Sequence, residues 1–486
     1  MMHSNKILES LQEIVGEEFV TTDRFATFAY TRDTSTFGGT DAETVVRPGS
    51  TEEVSRIMSL AYQHHIPVVV RGGGSSIYGQ PKGVPGSNLL LDMTRMNTIL
   101  DLNLANMTVT TQAGIIMGKL QHACNSEGLY IFTPSAPVHT VSLGGWMSGA
   151  AGGAGIWREV ISMTVVLPNG TVVKTGGGPG TNVNQPLYYN RNLGGPDFTG
   201  IFIGDGGTFG IKTEATIRLV GLPQVTRARI VEFGELEKVL ELILCHVKRV
   251  DPHPFDPLLV FGPGAMETFM PGSGEEEKFT VMGIMQGHTV KEVEAKLDAL
   301  DAIVTDMKAD RNPELDAMTE AMSSSGEGEE KMEMFGLDFF NGLGLAAWLP
   351  FNMPRASFNQ TYPRLIEWRE KRLEEAELRG FECTSRFEFF TPGDQCYLSG
   401  EVDAFFKDSD DPELREFVRT MIFDFQKYTH ELGFIDVYNQ GAMSNLNAQY
   451  WSPGFRSLYQ TIKSTLDPYG ILNPGLWVEP TTDKEC

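Results

Sequence analysis

The sequence predicts an α+β protein of more than one domain, and three observations lead there. At 486 residues the chain is longer than one compact core usually sustains. Its first half sets short β-branched runs between glycine-rich clusters, with an amphipathic helix ahead of them. Beyond Pro223 the composition changes to long amphipathic helices alternating with strands, and a domain boundary is expected there.

Hydrophobic residues make up 41% and charged residues 21%, an ordinary balance for a soluble globular protein. With 39 basic and 63 acidic residues, the formal charge of −24 argues against nucleic acid or an anionic membrane as partner. A basic protein partner stays compatible with it. The first thirty residues show no basic-then-apolar leader, and no apolar run approaches membrane-spanning length. The expected address is the cytoplasm. Cys124, Cys245, Cys383, Cys396 and Cys486 are scattered and form no CxxC, so neither a disulfide framework nor a zinc or iron–sulfur site is indicated.

Taken in order, Ser50 and Glu53 fit a capping box, followed by Val54, Ile57, Met58 and Ala61 at helical spacing. Pro67 to Val70 then reads as a buried strand running into Arg71, Gly72, Gly73, Gly74, Ser75 and Ser76. Consecutive glycines expose backbone amides without Cβ atoms in the way, and converging amides form a concave anion site. Arg71 adds charge and the serines add hydroxyls. Asn88 to Asp92 and Met107 to Gln112 read as further strands. Pro134 to Gly155 is a second stretch of small residues, suited to close approach of something flat or to tight packing.

Met163 to Leu167 and Thr171 to Thr175 form an expected hairpin about Pro168-Asn169-Gly170. Gly200 to Ile211 is a third glycine cluster, followed by an alternating strand. Helices are expected over Glu235–Arg249, Val290–Lys308, Leu365–Arg379 and Pro412–Leu432, the last closed by Gly433. Ser323 to Glu333 is acidic and reads as a solvated loop.

Taken together, these clusters resemble the flavin-binding domain of the vanillyl-alcohol oxidase/p-cresol methylhydroxylase superfamily. The matching pieces are Val70–Ser76, Asn88–Asn97, Thr110–Gly114, Ser142–Gly145, Val165–Gly170, Gly204–Thr216 and Leu466–Gly475. The resemblance implies a bipartite p-cresol-methylhydroxylase (PCMH)-type FAD-binding domain with an α+β cap. Its N-terminal part would be 1–222, the cap 223–440, and 441–486 the segment returning to the flavin domain. It implies that Arg71 and Gly72–Ser76 lie at the diphosphate. Pro134, Leu143, Gly144, Gly145, Ser148, Gly149 and Gly153 would lie along the flavin, Gly210 and Ile211 near the adenine side, and Asn473 would reach back towards the flavin. Ser75 stands where covalently flavinylated relatives carry histidine, so non-covalent FAD is expected. The glycine triplet does not spell G-x-G-x-x-G and no Walker A motif occurs. Gly342 to Ala347 formally matches G-x-G-x-x-A outside a βαβ setting and reads as packing.

The subgroup acting on D-2-hydroxy acids carries a histidine-rich metal motif. None of the nine histidines here forms H-x-H or a glutamate–histidine pair, so no metal site is expected. The cap resembles that of the p-cresol methylhydroxylase flavoprotein, through Ala346–Arg355, Phe387–Asp394 and 450–475. The family's catalytic aspartate falls on Gly155, and its phenolate-binding arginine has no counterpart around Tyr438. Arg386 and Glu388, two apart on an expected strand, face one side and could serve as anion clamp and base. A surface ion pair is the plain alternative. Tyr438 is a candidate hydrogen-bond partner. His139 could sit near the flavin, and Tyr450 and Trp451 could wall a cavity or pack in the core.

The expected activity is FAD-dependent hydride removal from a hydroxyl-bearing or benzylic carbon of a small organic substrate, with phenolic and aromatic compounds among the candidates. The alternatives are a D-2-hydroxy-acid dehydrogenase and an electron-transfer or non-catalytic flavin subunit. Electrons would leave to oxygen, a quinone or a redox protein such as a cytochrome. A homo-oligomer and a hetero-complex are both compatible with the sequence.

Overall fold

A computed structural model describes residues 5–33, 35–37, 42–79, 89–131, 138–149, 156–249, 258–263, 265, 278–311, 316–317, 344–392, 397–407, 410–434 and 441–477. Ser50 caps the helix Thr51–His64, its hydroxyl accepting from the Glu53 amide at 3.1 Å. The return arm of the box lands one residue earlier, where Glu53 accepts from the Gly49 amide at 2.7 Å. Val54, Ile57, Met58 and Ala61 are buried, as their spacing predicts.

That helix lies between two sheets. A mixed sheet runs in the order Val20–Thr21, Thr44–Val46, Leu89–Asp92, Val68–Arg71, with parallel pairing among the last three. An antiparallel sheet runs Ile99–Asn103, Thr108–Gln112, Ile211–Arg218, Val160–Val166, Val172–Lys174. The apolar face of the helix shares one core with Val68 and Leu91 of the first sheet and Val166 and Ile211 of the second. The predicted hairpin forms, with Gly170 at φ 87 in its tip.

Residues Val225 to Phe406 build a larger antiparallel sheet. Its order is Asp310–Arg311, Val225–Phe233, Phe279–Gly287, Leu258–Phe261, Cys383–Pro392, Tyr397–Phe406, Leu345–Ala347, and Pro350–Pro354 also pairs with Tyr397–Phe406. The helices Leu236–Arg249, Val290–Asp306, Phe358–Leu378 and Pro412–Glu431 share a core with one face of it. The other face carries Phe261, Phe387, Phe389, Phe405 and Met282 in a separate cluster, which Ala265 joins. The helix expected from Leu365 begins earlier, at Phe358, and runs through Pro363. Phe358 and Tyr362 are buried against Phe390, with ring centroids 4.6 and 5.3 Å away. That packing offsets the hydrogen bond lost at the proline.

Tyr450 is exposed and stacks on His430 at 4.2 Å, while Trp451 stacks on Trp477 at 5.0 Å. The His430 Nε2 also hydrogen-bonds Asn447 Oδ1 at 2.7 Å. Burial holds the His430 imidazole below its ordinary 6.5. As pH falls through that value the unfolded chain takes the proton first, so stability present above it is lost on acidification. A thermal midpoint that declines below neutral pH, with a shallower decline in His430→Asn, is the expected outcome. Calorimetry across that range checks it.

Candidate flavin site

The glycine clusters, far apart in sequence, meet at one place. The strand Val68–Arg71 delivers Gly72 and Gly73 onto the segment leading into the helix Leu143–Gly149. A Cβ on Gly72 would stand 2.1 Å from Ser142 Oγ, and one on Gly73 only 1.6 Å from the Thr140 carbonyl. Gly74 takes φ +74. Among the described residues the amides of Gly72, Gly73, Gly74 and Ser75 donate to no protein acceptor. Consecutive unspent amides in a concave turn suit an anionic group such as a diphosphate.

Arg71 spends its guanidinium on protein carbonyls: Tyr30 at 2.9 Å, Arg32 at 3.1 Å and Gly72 at 3.2 Å. It ties the N-terminal segment to the loop and leaves its charge beside Gly74, where a Cβ would lie 2.2 Å from Nη2. In the second cluster the Leu143 and Gly144 amides bond the Ile115 and Ala113 carbonyls at 2.9 and 2.6 Å, and Gly145 bonds Ser142 Oγ at 3.2 Å. The Gly204 and Gly206 amides reach the Met147 and Ser148 carbonyls at 2.9 and 3.0 Å, so the third cluster caps the end of that helix. Gly149 is buried, and the buried Trp146 indole N–H has no acceptor among the described residues. Gly210 packs against Val165, and the Ile211 side chain is in the core. His139 is exposed beside Gly118. Pro134 and Gly153 lie outside the described residues.

Asn473 joins the first cluster to the third. Its amide bonds the Val68 carbonyl at 2.8 Å, its Oδ1 accepts from Val70 at 2.9 Å, and its Nδ2 donates to Gly206 and Gly207 at 3.2 and 2.9 Å. Each polar atom of the side chain is thus spent on protein backbone. Beneath it lie two ion pairs that sequence reasoning missed. Lys212 pairs with Asp205, which also accepts from the Gly207 and Phe209 amides at 2.9 and 3.2 Å. Lys463 donates to Asp467 at 2.7 Å and to the Thr208 and Leu472 carbonyls at 2.9 and 3.0 Å. Burial pulls both lysines below their ordinary pKa, and the carboxylate partner works against it. The Lys463–Asp467 spacing of one helical turn was the available signal.

A family of FAD binding domains matches residues 42–176, which contain the cradle and the Leu143–Gly149 helix. The glycolate oxidase subunit GlcD of Bacillus subtilis is 28% identical over 248 residues, half of this chain and half of that one. The mitochondrial D-lactate dehydrogenase (cytochrome) 1 of Saccharomyces cerevisiae is 29% identical over 202 residues, 40% of this chain and 32% of that one. The chain thus spans about half the length, or less, of these curated relatives. A substrate-bound structure of p-cresol methylhydroxylase superposes on 97% of this chain and 96% of its own, with TM-score 0.79 and 17% identity. Residues 42–176 form an FAD binding domain, and the fold of the whole chain is that of the PCMH-type flavoproteins. Its cofactor is FAD, and the cradle that a Cβ would fill, with unspent amides, fits it.

In the cap of this flavoprotein, Arg386 and Glu388 lie on the same side of the strand Cys383–Pro392, as alternation predicts, but they have different partners. Arg386 is exposed and pairs with Glu370 at 3.1 Å. Glu388 is buried and accepts from Tyr362 at 2.8 Å and Arg369 at 2.5 Å. Both face the helix Phe358–Leu378, away from the face that carries Phe387 and Phe389. Tyr438 lies outside the described residues. No group of His, Cys, Asp and Glu side chains placed to hold a metal occurs among the described residues. No described helix is long and apolar enough to cross a membrane.

Proposed function

We propose that the protein is an FAD-dependent oxidoreductase acting on a small substrate with an aromatic ring, at a hydroxyl-bearing or benzylic carbon. The observation that carries this is the face of the cap sheet opposite the Phe358–Leu378 helix, where Phe261, Phe387, Phe389 and Phe405 form an apolar aromatic wall. Such a wall takes an aromatic ring by edge and offset contacts. When bound, FAD supplies the oxidant, a two-electron hydride acceptor. The amides of Gly72 to Ser75 would hold its diphosphate, and the helix Leu143–Gly149 would lie beside its ring system. Asn473 holds the two glycine loops in register around it. Oxygen, a quinone or a redox protein takes the electrons.

A second reading, a D-2-hydroxy-acid dehydrogenase, draws support from the glycolate oxidase and D-lactate dehydrogenase relatives, which match about half of the chain or less. Anaerobic titration of the flavin with phenolic alcohols and with D-lactate and glycolate separates the two. Bleaching by the phenolic alcohols is expected. Bleaching by the hydroxy acids alone selects the second reading, and flavin that neither class bleaches overturns both.

A further inference from the structure

The face of the cap sheet that carries Phe387 and Phe389 also carries two carboxyl groups among its aromatic rings. Along Tyr397–Phe406, the side chains of Leu398, Val402, Ala404 and Phe406 join the helix-covered core, and Phe405 joins the opposite cluster. Alternation therefore sets Glu401 and Asp403 on the opposite face, in line with Phe405. Across the strand pair, Asp403 lies opposite Phe387 and Glu401 opposite Phe389. Asp403 is fully buried, while Glu401 is half-buried.

The Asp403 Oδ1 accepts the Leu349 amide at 2.7 Å. Its Oδ2 meets no N–H or O–H donor among the described residues. Glu401, two residues back on the same face of the strand, places the neighbouring carboxyl charge beside it, and two carboxyl groups attract rather than repel only when one of them carries a proton. Burial first, then the Glu401 charge, pushes the Asp403 carboxyl well above the usual carboxylate range. Arg369, reaching from the helix behind the sheet, opposes that shift. Phe387 on the adjoining strand and Trp348 and Leu349 before the next bring no charge of their own. Two carboxylates on an apolar wall repel, and a buried oxygen without a donor costs free energy. One shared proton removes both penalties.

We propose that Glu401 and Asp403 form a shared-proton pair at the substrate face. Glu401 is the base that takes the proton of the substrate hydroxyl or phenol, and Asp403 is the positioning residue that keeps the pair's proton behind it. The substrate O–H bond breaks and its proton moves to the Glu401 carboxylate. The hydride of the reacting carbon leaves with both electrons to the oxidised flavin, and the substrate departs as a carbonyl compound or, from a phenol, a quinone methide. The pair has this role only if the protein is the oxidoreductase proposed above.

The test uses the full-length flavoprotein, Glu401→Gln and Asp403→Asn, each of which keeps acceptor oxygens and shape. Infrared difference spectra across neutral pH are expected to show a protonated-carboxyl band in the parent that is lost in Asp403→Asn. No such band, or a band kept in both variants, overturns the shared proton whether or not a substrate is found. Flavin reduction by a phenolic alcohol, followed by stopped flow, is expected to slow by about 100-fold or more in Glu401→Gln and to lose its dependence on pH. Asp403→Asn is expected to shift that pH profile with little change in substrate affinity. A band that disappears while the rate and its pH profile stay unchanged shows the pair to be structural and overturns the catalytic role. Parent flavin that no substrate reduces counts against the oxidoreductase reading, and the infrared result still decides the pair.

Discussion

Gly73→Ala is expected to lose FAD while the protein remains folded. An alanine Cβ there would stand 1.6 Å from the Thr140 carbonyl, far inside van der Waals contact, with a backbone atom as the obstacle. The loop must lift from the segment before Leu143, and the amides of Gly72 to Ser75 then no longer converge. An affinity loss of about 100-fold or more, ~2.7 kcal/mol, is the expected scale for a cradle that no longer closes. Gly454→Ala is the matched control, since its added Cβ meets nothing within 4 Å. Flavin absorbance relative to protein after gel filtration, followed by titration of the apoprotein with FAD, reads the result. FAD held at parental affinity in Gly73→Ala would show that the cofactor lies elsewhere.

What the sequence made legible follows from range. The Ser50 cap, the buried stripe of its helix and the hairpin at Gly170 are settled by residues a few positions apart, and they form as read. The glycine clusters were legible because small residues answer a steric demand any backbone neighbour would impose. Which backbone imposes it was not legible, since Thr140 approaching Gly73 is a tertiary fact. The same limit explains the cap. Period two placed Arg386 and Glu388 on one side of a strand, yet it cannot say which side the helices cover. Their partners, Glu370 on the one hand and Arg369 with Tyr362 on the other, come from a helix earlier in the chain whose start the proline concealed. Asn473 was read as reaching towards the flavin. Its bonds instead run to Val68, Val70, Gly206 and Gly207, and they hold two loops whose proximity no local pattern announces.

Lys463→Met is expected to be the most destabilising change in the flavin domain. The ammonium is 5% exposed and the Asp467 carboxylate 0%, so the pair has almost no water to fall back on. Removing the lysine strands the carboxylate charge and also frees the Thr208 and Leu472 carbonyls. Breaking one side of a buried pair costs about 3–5 kcal/mol, much more than a surface pair would. Because Asp467 still accepts from the Ile471 and Leu472 amides at 3.0 and 2.9 Å, replacing it with an apolar residue would add a second defect. Asparagine keeps acceptor capacity there and drops the charge, so Lys463→Met/Asp467→Asn should recover a substantial part of the loss. The reading is the denaturant midpoint at which flavin fluorescence is released, since a chain with two sheet systems need not unfold in one step. A single variant as stable as the parent would mean that Thr208 and the 466–475 segment are held by packing alone. A double variant no better than the single would place the cost in the freed carbonyls rather than in the stranded charge.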